Sequence, residues 1–158
     1  MKVTHFISSL FIVAVAALSG PVTAFAEDKA AISAMEAYFD FSEYEGGTIL
    51  PEQIPAEDWK NIYVIDTRDA EQFQKAHIPG AVNIDWRKVL GQRSKLPGDK
   101  MVLLYCNAGT LSSQAAIALR VAGMENVRIL QGGFTDWKAK GGFEANRIAT
   151  RKSAKTGK

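Results

Sequence analysis

Four short apolar runs punctuate the chain, "NIYVIDT" (61–67), "AVNID" (81–85), "MVLLYC" (101–106) and "NVRIL" (126–130). Each is rich in β-branched residues and too short for a stable helix, so each predicts a strand. The third is apolar nearly throughout, as a central parallel strand covered on both faces must be. "GTIL" (47–50) adds a candidate first strand. Between the runs, "AEQFQKA" (70–76) and "SSQAAIALRVA" (112–122) carry helical spacing, with Gly123 placed as a C-cap. "FTDWKAK" (134–140) predicts a last helix that ends at Gly141-Gly142. This alternation predicts an α/β domain with a mostly parallel sheet. Ligands of such sheets bind at the carboxyl ends of the strands, which brings three turns to one edge: 67–69, 85–87 and 106–111.

The flanks read differently. Residues 28–41, "DKAAISAMEAYFDF", place Ile32, Met35 or Glu36, and Phe39 at helical spacing, and Gly46-Gly47 marks a break. The stretch 27–47 is therefore expected to be a helical extension lying on the domain. Residues 1–26 combine a positive start at Lys2, an apolar run from Phe6 to Leu18 and a small-x-small ending at Ala24-Phe25-Ala26. That is the form of a signal peptide, with cleavage expected before Glu27 and export, to the periplasm in a bacterium. The run is shorter than a membrane span needs and Gly20-Pro21 breaks it, so no stable anchor is expected after cleavage.

Charge divides along the chain too. Residues 27–146 hold 13 Lys and Arg against 17 Asp and Glu, a net charge of −4, whereas 147–158 hold five basic residues and no acid. The overall +2 is thus a property of the tail, 145–158, expected to be disordered and solvated. Export argues against a nucleic-acid partner for it.

One cysteine in 158 residues excludes an internal disulfide. Cys106 closes the most apolar run, and Asn107, Ala108, Gly109, Thr110 and Leu111 lead into a helix expected to begin near Ser112. A short turn of this kind, with a glycine to relax its dihedrals, can aim backbone N–H groups and the positive end of a helix at the sulfur. The result would be a thiolate-prone nucleophile. A structural thiol at the end of a core strand is the other reading that local physics allows.

Three stretches in order, "DTRDAEQFQKAHIPGAVNI" (66–84), "LLYCNAGTLSSQAAIALRVAGMENV" (103–127) and "LQGGFTDWKAKG" (130–141), resemble the successive motifs of the rhodanese family over about residues 48–144. The resemblance implies a three-layer fold, with a mostly parallel five-stranded sheet and helices on both faces. It also implies a sulfurtransferase that takes sulfane sulfur from a donor such as thiosulfate, a polysulfide or a persulfide onto Cys106. The persulfide would then pass its sulfur to cyanide or a thiol, with no cofactor.

The same resemblance places the substrate cradle on Asn107, Ala108, Gly109, Thr110, Leu111 and Ser112. Leu111 stands where many active relatives carry arginine. Losing a charge-assisted contact of about 1.5–3 kcal/mol would weaken binding of a small dianion roughly tenfold to a hundredfold. A polysulfide, an organic persulfide or a protein persulfide partner is therefore expected over thiosulfate.

Asp66 and Arg68 are expected to form a structural ion pair supporting the loops. Trp86 and Arg87 are either part of the site mouth or an ordinary surface turn. His77 is expected to be a packed histidine rather than a base. Trp137 and Phe134 read as core. Thr110 and Ser112 could offer hydroxyls to a bound persulfide, although Ser112 also suits an N-cap. With one cysteine and only His77 after residue 26, no metal-ligand spacing exists.

A cysteine phosphatase would need an arginine where Ser112 stands to stabilise a phosphate dianion, which argues against that activity. A non-catalytic binding or sulfur-carrier module for a protein partner is the alternative to the enzyme.

Overall fold

The computed structural model describes residues 27–44 and 47–144. The expected signal peptide, Gly46 and the basic tail lie outside them. Among the described residues the chain runs α1 (Lys29–Asp40), β1 (Thr48–Ile49), β2 (Tyr63–Asp66), α2 (Ala70–Lys75), β3 (Val82–Asn83), α3 (Trp86–Val89), β4 (Val102–Tyr105), α4 (Thr110–Val121), β5 (Val127–Leu130) and α5 (Gly133–Ala139). The strands form one five-stranded sheet in the order β1-β5-β4-β2-β3, and all four pairings are parallel.

The central strand behaves as its composition requires. All four residues of β4 are fully buried, and they alternate between two cores. Val102 and Leu104 join Ile65, Ala116, Leu119 and Val127 beneath α4. Leu103 and Tyr105 join Val64, Ile78, Leu130 and Trp137 on the opposite face. A pleated strand puts successive side chains on opposite faces, so a strand covered on both sides must be apolar at every position.

The topology also locates a crevice. The connection from β2 through α2 leads outward to β3, whereas that from β4 through α4 leads the other way, to β5. The chain therefore diverges above the adjacent carboxyl ends of β2 and β4, where Asp66 and Tyr105 are register partners.

Two elements differ from expectation. The segment 86–95, not predicted as helical, forms α3 and continues as a 3-10 helix over Leu90–Lys95. Asp85 caps it, accepting from the Arg87 N–H at 2.9 Å. Its periodicity is invisible because only Val89 of these ten residues is fully buried. In α1, capped by Asp28, the apolar pair Ile32 and Phe39 is 43% and 62% exposed, so it is not the packed face. Met35 and Tyr38 are the half-buried positions, and the Arg120 guanidinium of α4 lies 5.5 Å from the Tyr38 ring centroid. A cation over an aromatic face, rather than an apolar seam, marks this contact.

Replacing Leu104 by Ala should lower the urea-unfolding free energy by about 2–5 kcal/mol through the cavity it leaves. Phe41→Ala, at a position 89% exposed, should change it by no more than about 0.5 kcal/mol.

Candidate active site

At the end of β4 the ladder closes with the Thr67 N–H on the Tyr105 carbonyl at 2.8 Å, and the chain enters the turn through Cys106. The turn proper is shorter than expected. Asn107, Ala108 and Gly109 complete it and α4 starts at Thr110, not near Ser112. Gly109 makes this possible, because its φ of 106° is a conformation that side-chain-bearing residues rarely adopt. Thr110, Leu111 and Ser112 consequently occupy the first helical turn, where N–H groups lack intrahelical acceptors and are available to the sulfur.

Cys106 is buried, with 3% of its surface exposed. The Gly109 N–H donates to Sγ at 3.2 Å, and the Ser112 hydroxyl lies 3.6 Å from Sγ. That hydroxyl is also 3.0 Å from the Gly109 carbonyl, which the Ser113 hydroxyl reaches at 2.8 Å. Ser113 can hold the carbonyl alone, leaving the single Ser112 proton for a charged sulfur. Burial pushes the thiol pKa up. Bonds from the Ser112 amide and hydroxyl and from the Ala108 and Gly109 amides pull it down further, and the net position is below that of an ordinary thiol.

The loop rests on a second turn that sequence reasoning assigned no role. The Phe134 N–H donates to the Cys106 carbonyl at 2.8 Å and the Thr135 N–H to the Asn107 carbonyl at 3.0 Å. So close an approach requires Gly133, whose φ is 60° and where an added Cβ would sit 2.5 Å from the Cys106 oxygen. The Gly-Gly pair before a helical stretch was a visible signal of a special turn, but Gly133 and Cys106 are 27 positions apart in sequence.

Asp66 and Arg68 form the expected ion pair, with the carboxylate 0% and the arginine 4% exposed. Arg68 Nε donates to both Asp66 oxygens at 2.9 and 3.1 Å, and Nη2 to Oδ2 at 2.5 Å. The remaining donors reach the Ala76 carbonyl at 2.7 Å and Asn107 Oδ1 at 3.2 Å. The guanidinium also lies 4.4 Å from the Phe134 ring centroid. Four of the five guanidinium N–H groups of Arg68 are thus engaged by protein acceptors.

His77 is packed as expected, stacked on Phe73 at 3.9 Å with Nδ1 bonded to the Phe73 carbonyl at 2.8 Å. Trp86 packs its half-buried ring on the core beneath α4, and its backbone N–H donates to the Thr67 carbonyl at 3.0 Å. Arg87 is exposed, stacked over Trp86 at 4.9 Å and paired with Asp85 at 3.5 Å. The structure therefore brings Asp66, Arg68 and Asn107 together directly, and ties Trp86 to them through Thr67. Thr110 is exposed and Leu111 half-buried. Among the described residues no three potential metal ligands cluster.

Comparison with known proteins agrees with the fold. The rhodanese-like domain model matches residues 48–140. Thiosulfate sulfurtransferase GlpE of Pseudomonas savastanoi pv. phaseolicola is 35% identical over 91 residues, covering 58% of this chain and 86% of that protein. The solution structure of a rhodanese-like domain from Anabaena has a TM-score of 0.55 at 27% identity, covering 61% of this chain and 76% of that one. A rhodanese-related protein of Thermoplasma volcanium, with a TM-score of 0.55 at 24% identity over 60% of this chain and 93% of its own, shares the fold.

Two substitutions probe the cradle. Ser112→Ala should move the pH profile of Cys106 alkylation by iodoacetamide to higher pH, since it deletes a donor to the thiolate, and an unmoved profile would remove the hydroxyl from the cradle. Gly133→Val should lower the thermal midpoint and slow alkylation at neutral pH, because the new side chain collides with the carbonyl of the reactive residue.

Proposed function

Because residues 48–140 make the chain a member of the rhodanese-like domain family, we propose that it is a sulfurtransferase working through a persulfide on Cys106. The Cys106 thiolate attacks the outer sulfur of a sulfane donor. The new S–S bond forms as the donor's own S–S bond breaks, and the donor leaves with the electron pair, as sulfite in the case of thiosulfate. A cyanide ion or an acceptor thiolate then attacks the outer sulfur of the persulfide. Thiocyanate or a new persulfide departs and the Cys106 thiolate is regenerated, with no net oxidation.

The observation that carries this reading is the set of donors around Sγ, the Gly109 amide at 3.2 Å and the Ser112 hydroxyl at 3.6 Å. Such donors stabilise the thiolate as nucleophile and again as leaving group, so they favour both halves of the cycle.

The donor is proposed to be a polysulfide, an organic persulfide or a persulfide on a protein partner. All six residues from Asn107 to Ser112 are uncharged, and Arg68 is already engaged by Asp66, Ala76 and Asn107. A thiosulfate sulfonate would find amides and hydroxyls there but no cationic side chain from the loop. The same uncharged loop also favours a second reading, in which the domain is a sulfur carrier that hands its persulfide to one protein. The pattern of residues 1–26 supports export, and both readings place the chemistry outside the cytoplasm.

Intact mass after exposure to polysulfide should show one added sulfur that cyanide removes, with less addition from equimolar thiosulfate and none in Cys106→Ser. Equal loading of that variant would overturn the persulfide reading. Loading without catalytic turnover to cyanide or small thiols would favour the carrier.

A further inference from the structure

The side chain of Asn107 turns away from the sulfur, although Asn107 directly follows Cys106. Its Oδ1 accepts from Arg68 Nη1 at 3.2 Å and its Nδ2 donates to Gln72 Oε1 at 2.7 Å. Gln72 Nε2 in turn donates to Asp69 Oδ2 at 2.5 Å, and Asp69 Oδ1 caps α2 by accepting the Gln72 N–H at 2.8 Å. A guanidinium can only donate and a carboxylate can only accept, so the two ends of this chain dictate the orientation of both amides between them. Every bond runs in one direction, from Arg68 through Asn107 and Gln72 to Asp69. Aligned bonds of this kind polarise one another.

Asn107 is exposed to solvent, where an asparagine would ordinarily be free to rotate. Here it is held at three points: Oδ1, Nδ2 and its own carbonyl, which accepts from Thr135. The residues that follow it, Ala108 and Gly109, are two of the three whose amides act on the sulfur, the third being Ser112.

We propose that Asn107 is a positioning residue, strung between Arg68 and the Gln72–Asp69 pair of α2 so that the amides of Ala108 and Gly109 stay aimed at Cys106. The proposal rests on the nucleophilic role of Cys106 described above, and it assigns Gln72, which touches neither the sulfur nor its donors, to the same device. Asparagine suits position 107 because its amide offers an acceptor to the arginine and, on a separate atom, a donor to the glutamine. Aspartate would keep the first contact, lose the second and set a negative charge beside the thiolate. The charged groups around the loop are Arg68 and Asp66 beneath it, Asp69 at the start of α2 and Asp136 in the first turn of α5; the first turn of α4 carries none.

The test is the rate of Cys106 alkylation by iodoacetamide as a function of pH, measured beside urea unfolding for Asn107→Ala, Gln72→Leu, the double variant and Gln72→Glu. Asn107→Ala and Gln72→Leu should each slow alkylation at pH 7 by about threefold to tenfold, the worth of roughly one hydrogen bond, and move the profile to higher pH. The double variant should be no slower than Asn107→Ala, because both cut one chain. Gln72→Glu keeps an acceptor facing Nδ2 but cannot donate to Asp69 and sets two carboxylates together, so it should be as slow as Gln72→Leu. An alkylation profile unchanged in Asn107→Ala, whether or not the urea midpoint falls, would overturn the proposal, as would independent, multiplying effects in the double variant. Alkylation needs no sulfur donor. Failure of Cys106 to load sulfur would therefore refute the sulfurtransferase reading while leaving this result standing.

Discussion

Removing two opposite charges from water costs several kcal/mol per ion, and Asp66 with Arg68 is fully enclosed between the crossed loops of this domain. The cost is offset only because nearly every polar atom of the pair is matched. Three guanidinium-to-carboxylate bonds join the two side chains, and the Arg68 N–H reaches Asp66 Oδ1 at 3.0 Å. The spare donors of Arg68 go to the end of α2 and to the turn after Cys106. Asn83 of β3 then donates to the carbonyls of both Asp66 and Arg68, at 3.0 and 2.8 Å. One buried pair thus fixes the relative positions of β2, β3, α2 and the cysteine turn. Breaking a pair of this kind leaves an uncompensated charge, which ties the geometry of the site to the integrity of the fold.

The cysteine turn itself is a balance of two opposed effects. Burial alone would favour the neutral thiol, and the amides of Ala108, Gly109 and Ser112 with the Ser112 hydroxyl tip the group toward the anion. Hydrogen bonds do this only if they are pre-aimed, since a loop that reorganised on ionisation would spend the gain on ordering itself. The clasp from Phe134 and Thr135 below and the asparagine anchor at the side supply that rigidity. Glycine at 109 allows the turn, and glycine at 133 allows the clasp to approach.

Much of this was legible in the sequence. The apolar runs placed every strand to within two residues at either end, most plainly β4, since a strand buried on both faces has no freedom to carry polar side chains. The single cysteine at the end of the most apolar run, with a glycine three residues on, pointed to an amide-lined turn. The pairing of Asp66 with Arg68 was expected from their charges and the family resemblance, and the packed state of His77 because a thiolate held by amides needs no base. By contrast, α3 was hidden because it buries too little to show a period, and of the expected face of α1 only Met35 is half-buried, beside Tyr38, whose ring meets the Arg120 cation.

What the sequence by itself determined, then, was the set of local preferences: which segments extend, which coil, and which thiol could become an anion. Only the tertiary structure decided that Gly133 lies under Cys106, that Arg68 spends four of its five guanidinium N–H groups on protein acceptors, and that Asn107 faces Arg68 and Gln72. The physical reason is that the contacts of Gly133 with Cys106 and of Asn107 with Gln72 and Arg68 join residues 27, 35 and 39 positions apart, separations at which no local periodicity or propensity carries information. They exist because parallel strands bring their carboxyl-terminal turns to one edge of the sheet, and there the backbone of one turn becomes the environment of the next.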